Sequence, residues 1–513
     1  MGHCVRRLGV VVCFILPSPL AAQLPPVGVP GGVVRVELDG SLTTFDQRFR
    51  AGRLESYGAD LSSSALGSDR IPLLADAEAR IGRIIGNTGY RINLGGLSTD
   101  AHGDMGDGFF GLSLGLTSGI TVFGRIPLVR SRVQSAFQLD PSSANAGLNP
   151  GESTQLPFFA ELDAALSTLN ARLAAGDYDG DPAQRALAQS TLADATSLRG
   201  DLFALLADPT TASPALPTAT STAGTALGSR IVALQTTLST NLGISGFTLT
   251  PTLPASALAE AEFTQIVTSA AGPIALRLDQ ATTTFRGDAE VGAALTLIDR
   301  WDRGPARGGL RVAVSGLVRL PTGRREQSDR PLDIGTGDAQ TDVQVELVTD
   351  LGAGPFGARL RGTYVRQLAR TFATRVTAPG QPFVGPDRLR FVRRDPGDVV
   401  ALGVHPFFRL ARTFALQAGL DHWSRGSDTY TYSSPADALP GIDANLLAED
   451  SKVNATALTV GVTYANPGGL SRGRTGLPVD ASWRYERILR SGGGQVPDTH
   501  VLRGQFRVYF GIW

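Results

Sequence analysis

The chain has 513 residues, with 47 basic and 47 acidic side chains, 61 glycines and two cysteines. Zero net charge without a basic tract argues against a nucleic-acid-binding protein. Two cysteines exclude a disulfide-rich scaffold or a zinc-ribbon protein, and an apolar fraction of 42% argues against wholesale disorder.

Residues 1–22 have the three parts of a secretory signal peptide. Arg6 and Arg7 precede a short apolar run at 8–16, and Ala21-Ala22 offers a cleavage site. The run is shorter than the ~20 residues that span a bilayer. Cleavage after residue 22 would remove both cysteines. An exported chain without a later apolar run of transmembrane length is either a soluble periplasmic or secreted protein or an outer-membrane β-barrel.

Residues 23–87 contain two elements. Residues 33–45 alternate, with Val34, Val36 and Leu38 on one face and charged side chains on the other, and residues 72–85 have the pattern of a short helix. The sequence leaves open whether 23–87 is a periplasmic segment that carries this helix or a first strand followed by it.

Runs of about ten residues with a period of two indicate strands that cross a membrane. In residues 309–320, Leu310 and Val312 face one way and Arg311 and Arg319 the other. Comparable runs occur at 90–97, 109–116, 119–133, 287–298, 341–350, 358–368, 399–409, 414–423, 453–464, 479–489 and 501–513. Short and long links alternate between them, as in barrels with tight periplasmic turns and long outer loops.

These runs predict an all-β fold, a transmembrane antiparallel β-barrel of about twelve strands in residues 88–140 and 287–513. Fourteen strands are possible if 33–45 and 273–285 also join. A soluble β-sandwich also alternates, but here the second face carries both Arg and Asp/Glu, which suits a wet lumen. The terminal aromatic residue, Trp513, is predicted to be the signal that the outer-membrane assembly machinery recognises.

Residues 141–286 break the pattern, because they are rich in Ala, Leu, Ser and Thr with helical spacing. Helices are expected around 158–173, 182–206, 225–242 and 256–271. The strand count places this insertion outside the cell. It is either a packed bundle that lengthens a loop, or a lid over the pore or a partner-binding surface.

Four segments resemble a known family. They are GLTSGITVFGRIPLV (115–129), GDAEVGAALTL (287–297), RLPTG (319–323) and LDIGTGDAQTDVQVEL (332–347). They are similar to outer-membrane barrels associated with the meta-pathway of phenol degradation. The resemblance covers roughly 90–133 and 287–513 and implies passage of small hydrophobic or aromatic compounds. The 141–286 insertion departs from the compact pattern of that family.

Enzymatic and metal sites are poorly supported. His422 and Ser424 are close in sequence, but no third residue to orient the imidazole and no oxyanion-hole motif accompany them. Asp333, Asp338 and Asp342 miss the spacing of a calcium loop. We therefore expect no catalytic residues, no metal, no cofactor and no enzyme activity.

Alternation instead assigns a set of charged and polar side chains to the lumen, where they would set the width and field of a pore or simply fill a narrow barrel. The set is Arg125, Glu290, Arg311, Arg319, Asp342, Glu346, Arg359, Arg361, His405, Asp421, Arg484, Glu486 and Arg503.

The sequence thus predicts a passive outer-membrane transporter or channel for small, hydrophobic or aromatic solutes. Its expected partners are outer-membrane lipid, the assembly machinery and the solute, with no nucleic acid. The alternative is a surface scaffold whose barrel anchors an extracellular helical module for adhesion or partner binding. Solute identity and oligomeric state are not predicted.

Overall fold

The computed structural model describes residues 27–301, 308–411, 413–466 and 478–512. The predicted signal peptide at 1–22 and the predicted assembly signal Trp513 lie outside the described residues.

Among these residues twelve antiparallel strands close into a barrel in chain order, and the last strand pairs with the first. The strands are β1 Val33–Phe45, β2 Gly96–Gly115, β3 Ile120–Asp140, β4 Glu290–Trp301, β5 Gly309–Arg319, β6 Asp342–Ala353, β7 Phe356–Gln367, β8 Val399–Arg409, β9 Phe414–Arg425, β10 Val453–Asn466, β11 Val479–Gly493 and β12 His500–Gly511. Closure leaves no unpaired sheet edge along the wall, which is what lets strands cross a lipid bilayer.

The polarity of the barrel is inverted relative to a soluble protein. On β1, Glu37 is 1% exposed whereas its neighbour Leu38 is 53% exposed. The same alternation runs around the wall, so that leucine, valine and phenylalanine cover the outside and arginine and carboxylates fill the inside. An apolar outer face and a polar inner face are the arrangement expected of a barrel in lipid.

Short links lie at one end of the barrel and long links at the other. At the short-turn end, the Leu116 amide donates to the Ile120 carbonyl at 2.9 Å, and Val33 of β1 pairs with Gly511 of β12. The long links extend from the other end, which we call the cap end.

The number of strands agrees with the sequence prediction, but the predicted first strand is wrong. Tyr90, Ile92 and Leu94 alternate because they pack in extended form into the core of the cap, not because they form a barrel strand. The first strand is Val33–Phe45. The fourteen-strand alternative is also wrong, since Ala281–Arg286 is a short strand that pairs with β3 above the end of β4.

The cap contains α1 Ala75–Ile85, α2 Glu152–Ala175, α3 Pro182–Leu206, α4 Thr222–Thr236 with a π-helical turn at Thr237–Asn241, and α5 Glu260–Thr268. Its helix ends follow from the sequence. The Asp181 side chain accepts from the Ala183 amide at 2.9 Å in front of Pro182, and Gly176 ends α2 at φ 82°.

One apolar core joins the insertion to the rest of the cap. Leu162 of α2, Leu202 of α3, Ile231 of α4 and Ile81 of α1 are all fully buried in it. Helix α1 therefore lies at the same end as the insertion, so the expectation that it is periplasmic while the insertion is extracellular is wrong. Within the described ranges, no helix combines the length and apolar character needed to cross a membrane.

Small sheets complete the cap end. They are formed by Gln47–Arg50, Arg53–Ser56 and Gln495–Pro497, by Ala146–Leu148 and Ala215–Pro217, and by Arg370–Arg375, Leu389–Asp395 and Thr429–Tyr432. The guanidinium of Arg375 ties the last of these to the cap, because it donates to the carbonyl oxygens of Ile274 and Ala275 at 2.7 and 2.8 Å.

Candidate functional site: the barrel lumen

The thirteen side chains assigned to the lumen from the sequence all lie on inward positions of their strands. Nine of them line one internal cavity of about 440 Å³. The other four are Arg311, Asp342, Asp421 and Glu486. The first three form ion pairs with inward residues, and Glu486 lines a second cavity with Arg503. Strand parity explains the placement, because side chains two residues apart share a face.

Ion pairs across neighbouring strands link β3 to β6. Arg319 donates to Asp342 at 2.8 Å and to Glu290 at 3.1 Å, and Glu290 also lies 3.6 Å from Arg125. Each pair joins residues that the strand register places on adjacent strands. These cross-strand pairs satisfy charges that lipid or a dry interior would leave unpaired.

A second chain of pairs follows on β6 and β7. Arg359 donates to Asp350 at 2.6 Å, and Arg361 donates to Glu346 at 2.7 Å. Arg311 of β5 lies 3.7 Å from Asp350. The guanidinium is planar and presents several donors, so it can bind a carboxylate of the wall and still face the lumen.

His405 and Asp421 form a pair on β8 and β9, with Nε2 of the imidazole 2.9 Å from Oδ1 of the carboxylate. The ring lies over Gly419, where a Cβ atom would come within 2.2 Å of His405 Nδ1. Glycine is therefore needed at 419 to accommodate the imidazole.

Several lumen charges were missed in the sequence prediction. Arg35, Glu37 and Asp39 of β1 face inward, and Glu37 accepts from Arg507 of β12 at 2.9 Å. Asp480 of β11 lies 3.7 Å from Arg507. The alternation of 33–45 was visible, but those residues were not assigned because the partner strand is almost the whole chain away.

Arginine dominates the lining of the 440 Å³ cavity, with eight arginines against three carboxylates and one histidine. The remaining carboxylates of the network, such as Glu37 and Asp350, lie behind the arginines against the wall. A solute in this cavity therefore meets mainly guanidinium groups.

One part of the same cavity is aromatic. Phe109 of β2 and Phe123 of β3 line it, and the guanidinium carbon of Arg125 lies 5.2 and 5.3 Å from their ring centroids. This geometry is typical of a cation–π interaction. The cavity thus has an aromatic side as well as charges.

The N-terminal described residues enter the lumen at the short-turn end. The Val29 amide donates to Thr121 Oγ1 at 2.8 Å, and the carbonyl of Val27 accepts from Arg35 at 3.4 Å. Val27 also lines the cavity. This segment narrows the lumen on that side.

On the cap side a loop folds into the barrel. Residues 334–337 line a second cavity of about 420 Å³ together with Glu486 and Arg503. Ser131 Oγ, on the inner face of β3, donates to the Gly335 carbonyl at 2.9 Å, and the Gly323 amide donates to Asp288 at 2.7 Å. Because Arg503 lines both cavities, they are neighbours along the lumen.

A groove of about 740 Å³ lies on the outer wall over β1, β2, β3, β11 and β12. Gly40, Gly108 and Gly504 stand side by side across it. Ser41 and Asp107 line both this groove and the second cavity. The wall is therefore thin at this point, where glycine backbone replaces side chains.

His422, which the sequence analysis considered for catalysis, contacts the neighbouring strand β10. Nδ1 of His422 lies 3.0 Å from Thr456 Oγ1 on the outer face. Across the described part of the chain, no three His, Cys, Asp or Glu side chains are grouped so that they could hold a metal ion.

No protein-family model and no curated protein matches the sequence. Similar solved structures include an outer membrane channel from Pseudomonas putida F1, at 11% identity over 95% of this chain and 100% of that chain with a TM-score of 0.43. The transport unit of the autotransporter AIDA-I from Escherichia coli has 6% identity, coverages of 94% and 92% and a TM-score of 0.32. The CymD monoaromatic hydrocarbon channel has 9% identity, coverages of 94% and 89% and a TM-score of 0.26. At these identities and TM-scores the likeness does not assign a function.

Proposed function

We propose that this chain is an outer-membrane β-barrel that acts as a passive channel for small hydrophobic or aromatic solutes. The single observation that carries the proposal is the inverted polarity of a closed wall around a polar cavity. A soluble barrel fills its interior with apolar side chains, whereas this one places them outside.

The lumen suits passage rather than chemistry. Its cavities of about 440 and 420 Å³ are adjacent and fall within the ~300–1,000 Å³ range of small-molecule sites. The rings of Phe109 and Phe123 offer apolar contact to a solute. We further propose that the barrel carries no covalent chemistry and that the assembly machinery recognises Trp513.

The cap sets how freely solute reaches the lumen. The loop at 334–337 lies inside the barrel, anchored by Ser131, and the helical insertion packs above it on the same end. Diffusion through a narrow, gated lumen is therefore the mode of transport that we propose, with small conductance and no energy input.

Reconstitution in planar bilayers tests the channel. The purified mature chain is expected to give stepwise currents of low conductance, and deletion of residues 144–281 is expected to preserve or increase them. A barrel that inserts but gives neither current nor solute flux, with or without the insertion, would refute the proposal.

A surface scaffold is the second candidate, favoured by the large apolar core of the cap, in which Phe159 packs edge to face with Phe158 and Phe203 at centroid distances of 5.1 and 5.4 Å. On this account the barrel is only an anchor. The two candidates differ in the barrel variant without residues 144–281, which keeps full function as a channel and loses it as a scaffold.

A further inference from the structure

We propose that the 440 Å³ cavity of the lumen is a binding site for aromatic carboxylates, with Arg484 as the group that recognises the anion. The inference rests on the proposed channel function and narrows its solute class from small hydrophobic or aromatic compounds to aromatic acids. The first evidence is the excess of arginines over carboxylates among the residues that line the cavity.

Eight arginines line the cavity and seven of them already have a carboxylate partner. Arg503, for example, lies 3.8 Å from Asp39, and Arg361 lies 2.7 Å from Glu346. Arg484 differs, because no carboxylate of the described residues lies within 4.0 Å of its guanidinium. The cavity therefore has one guanidinium that a solute can bind without breaking a pair of the wall.

Two polar atoms at this position have no hydrogen-bond partner within the described part of the chain. They are Nε of Arg484 and Oγ of Ser482, both buried and two residues apart on the inner face of β11. Burying a polar group without a partner is costly. Carboxylate oxygens accept hydrogen bonds from guanidinium N–H groups and from hydroxyls, so an anionic ligand is a chemically suitable acceptor for each of these groups.

The surroundings favour an anion further. Arg361, Arg503 and Arg507 all repel the Arg484 guanidinium, whereas the carboxylates of Asp39 and Glu486 attract it. Fixed charges of one sign in a cleft raise the local concentration of the opposite ion. The side chain has room to adopt this position because Gly461, on the neighbouring strand, would place a Cβ atom 2.7 Å from Arg484 Cγ.

The aromatic part of the ligand is inferred from a second group of lining residues, on β2 and β3. Phe109 and Phe123 present two rings to the same cavity, and such rings prefer to stack or pack edge to face with another ring. A planar acid such as benzoate matches both features. An inorganic anion would bind only to the arginine, and a neutral aromatic compound would contact only the phenylalanine rings.

Calorimetric titration of the detergent-solubilised barrel tests the site without requiring conduction. Benzoate is expected to bind, and benzyl alcohol and acetate to bind at least about tenfold more weakly, since each lacks one of the two recognised groups. Arg484→Gln is expected to weaken benzoate binding by about tenfold or more. Arg490→Gln, at an exposed arginine on the same strand, is the matched control and should bind as the wild type does.

Arg484→Lys is the second variant. It keeps the positive charge in the lumen but loses the planar guanidinium with its paired N–H donors. It is expected to bind benzoate with intermediate affinity, and heat-modifiable migration on a gel reports whether each variant is folded. Equal benzoate affinity in wild type and Arg484→Gln, or equal affinity for benzoate and benzyl alcohol, would overturn the inference. Currents in bilayers from a wild type that does not bind benzoate would overturn it while leaving the channel intact.

Discussion

In the barrel the inward side chains are arginines and carboxylates, whereas in the cap they are leucines and phenylalanines. Glu37 and Asp342 are buried in the lumen as deeply as Leu162 and Leu202 are in the cap. The reason is the medium outside each region. Water surrounds the cap, so apolar side chains move inward. On the proposed function lipid surrounds the barrel, so nothing is gained by hiding apolar groups from it and the polar groups need partners inside.

The largest expected effect is a difference between substitutions on the outer surface of the barrel and on the outer surface of the cap. Val404 on β8 and Val232 on α4 are both valines, 52% and 51% exposed. Val404→Arg places a cation against lipid and should cost about 2–4 kcal/mol near the membrane midplane, so the folded fraction falls. Val232→Arg places it in water and should change stability by less than about 0.5 kcal/mol.

Heat-modifiable migration and refolding yield into lipid vesicles measure this difference. If both arginine variants refold equally well, the outer wall of the barrel is not in contact with lipid. The proposed difference in surrounding medium between the barrel and the cap is then wrong.

The next effect concerns the core of the cap. Leu202 is fully buried and Leu187, on the same helix α3, is 37% exposed. Leu202→Ala should destabilise the cap by about 2–5 kcal/mol, because it removes apolar contacts and leaves a cavity. Leu187→Ala is the control and should lose well under half of that. Circular dichroism at 222 nm follows the helices during melting.

The barrel should not respond to the same change, because the wall closes through its own hydrogen bonds. An unfolded cap on a barrel that still migrates as folded is the expected result for Leu202→Ala. Loss of the barrel together with the cap would show that the two regions fold as one unit.

The smallest effect depends on pH. Glu161 on α2 accepts from the amides of Thr248 and Leu249 at 2.8 and 2.9 Å, and these backbone hydrogen bonds lower the pKa of its carboxyl group. A lowered pKa means that the stabilisation is complete above the unfolded value of ~4.3 and is lost as the pH falls through the folded value.

Glu161→Gln should therefore lower the melting temperature of the cap slightly at pH 7 and reduce its fall between pH 7 and pH 3. Asp194→Asn, at an exposed position of α3, is the matched control for the removal of a carboxylate. If the melting temperature depends on pH in the same way in wild type and Glu161→Gln, the Glu161 carboxylate does not contribute to the stability of the cap.

The sequence predicted those helices and strands whose hydrophobic pattern has a single structural explanation. Strands β4 to β12 follow from alternation, and α3 has the bounds Pro182–Leu206 that its leucine spacing indicated. Its start is local chemistry, since Asp181 and Pro182 cap and begin the helix.

The prediction from the sequence failed where a hydrophobic pattern fits two different structures, or where a strand pairs with a strand far away along the chain. Tyr90, Ile92 and Leu94 alternate like a strand but contact the cap core. In β2, Asp104, Gly106 and Gly108 interrupt the alternation. Val33–Phe45 pairs with His500–Gly511, and no local signal identifies a partner so far along the chain. The charges of the lumen were predictable by parity, but which arginine lacks a carboxylate depends on the register of all twelve strands.

Labelling of single cysteines tests the inverted wall most directly. The natural cysteines, Cys4 and Cys13, lie in the predicted signal peptide, so introduced thiols can be examined alone. In lipid vesicles, Gln417→Cys on the inner face of β9 should react with a small charged, membrane-impermeant thiol reagent, and Val404→Cys and Val460→Cys on the outer face should not. A lumen thiol that is inert while the outer thiols react would contradict the account, since it would place water outside the wall and lipid or protein within.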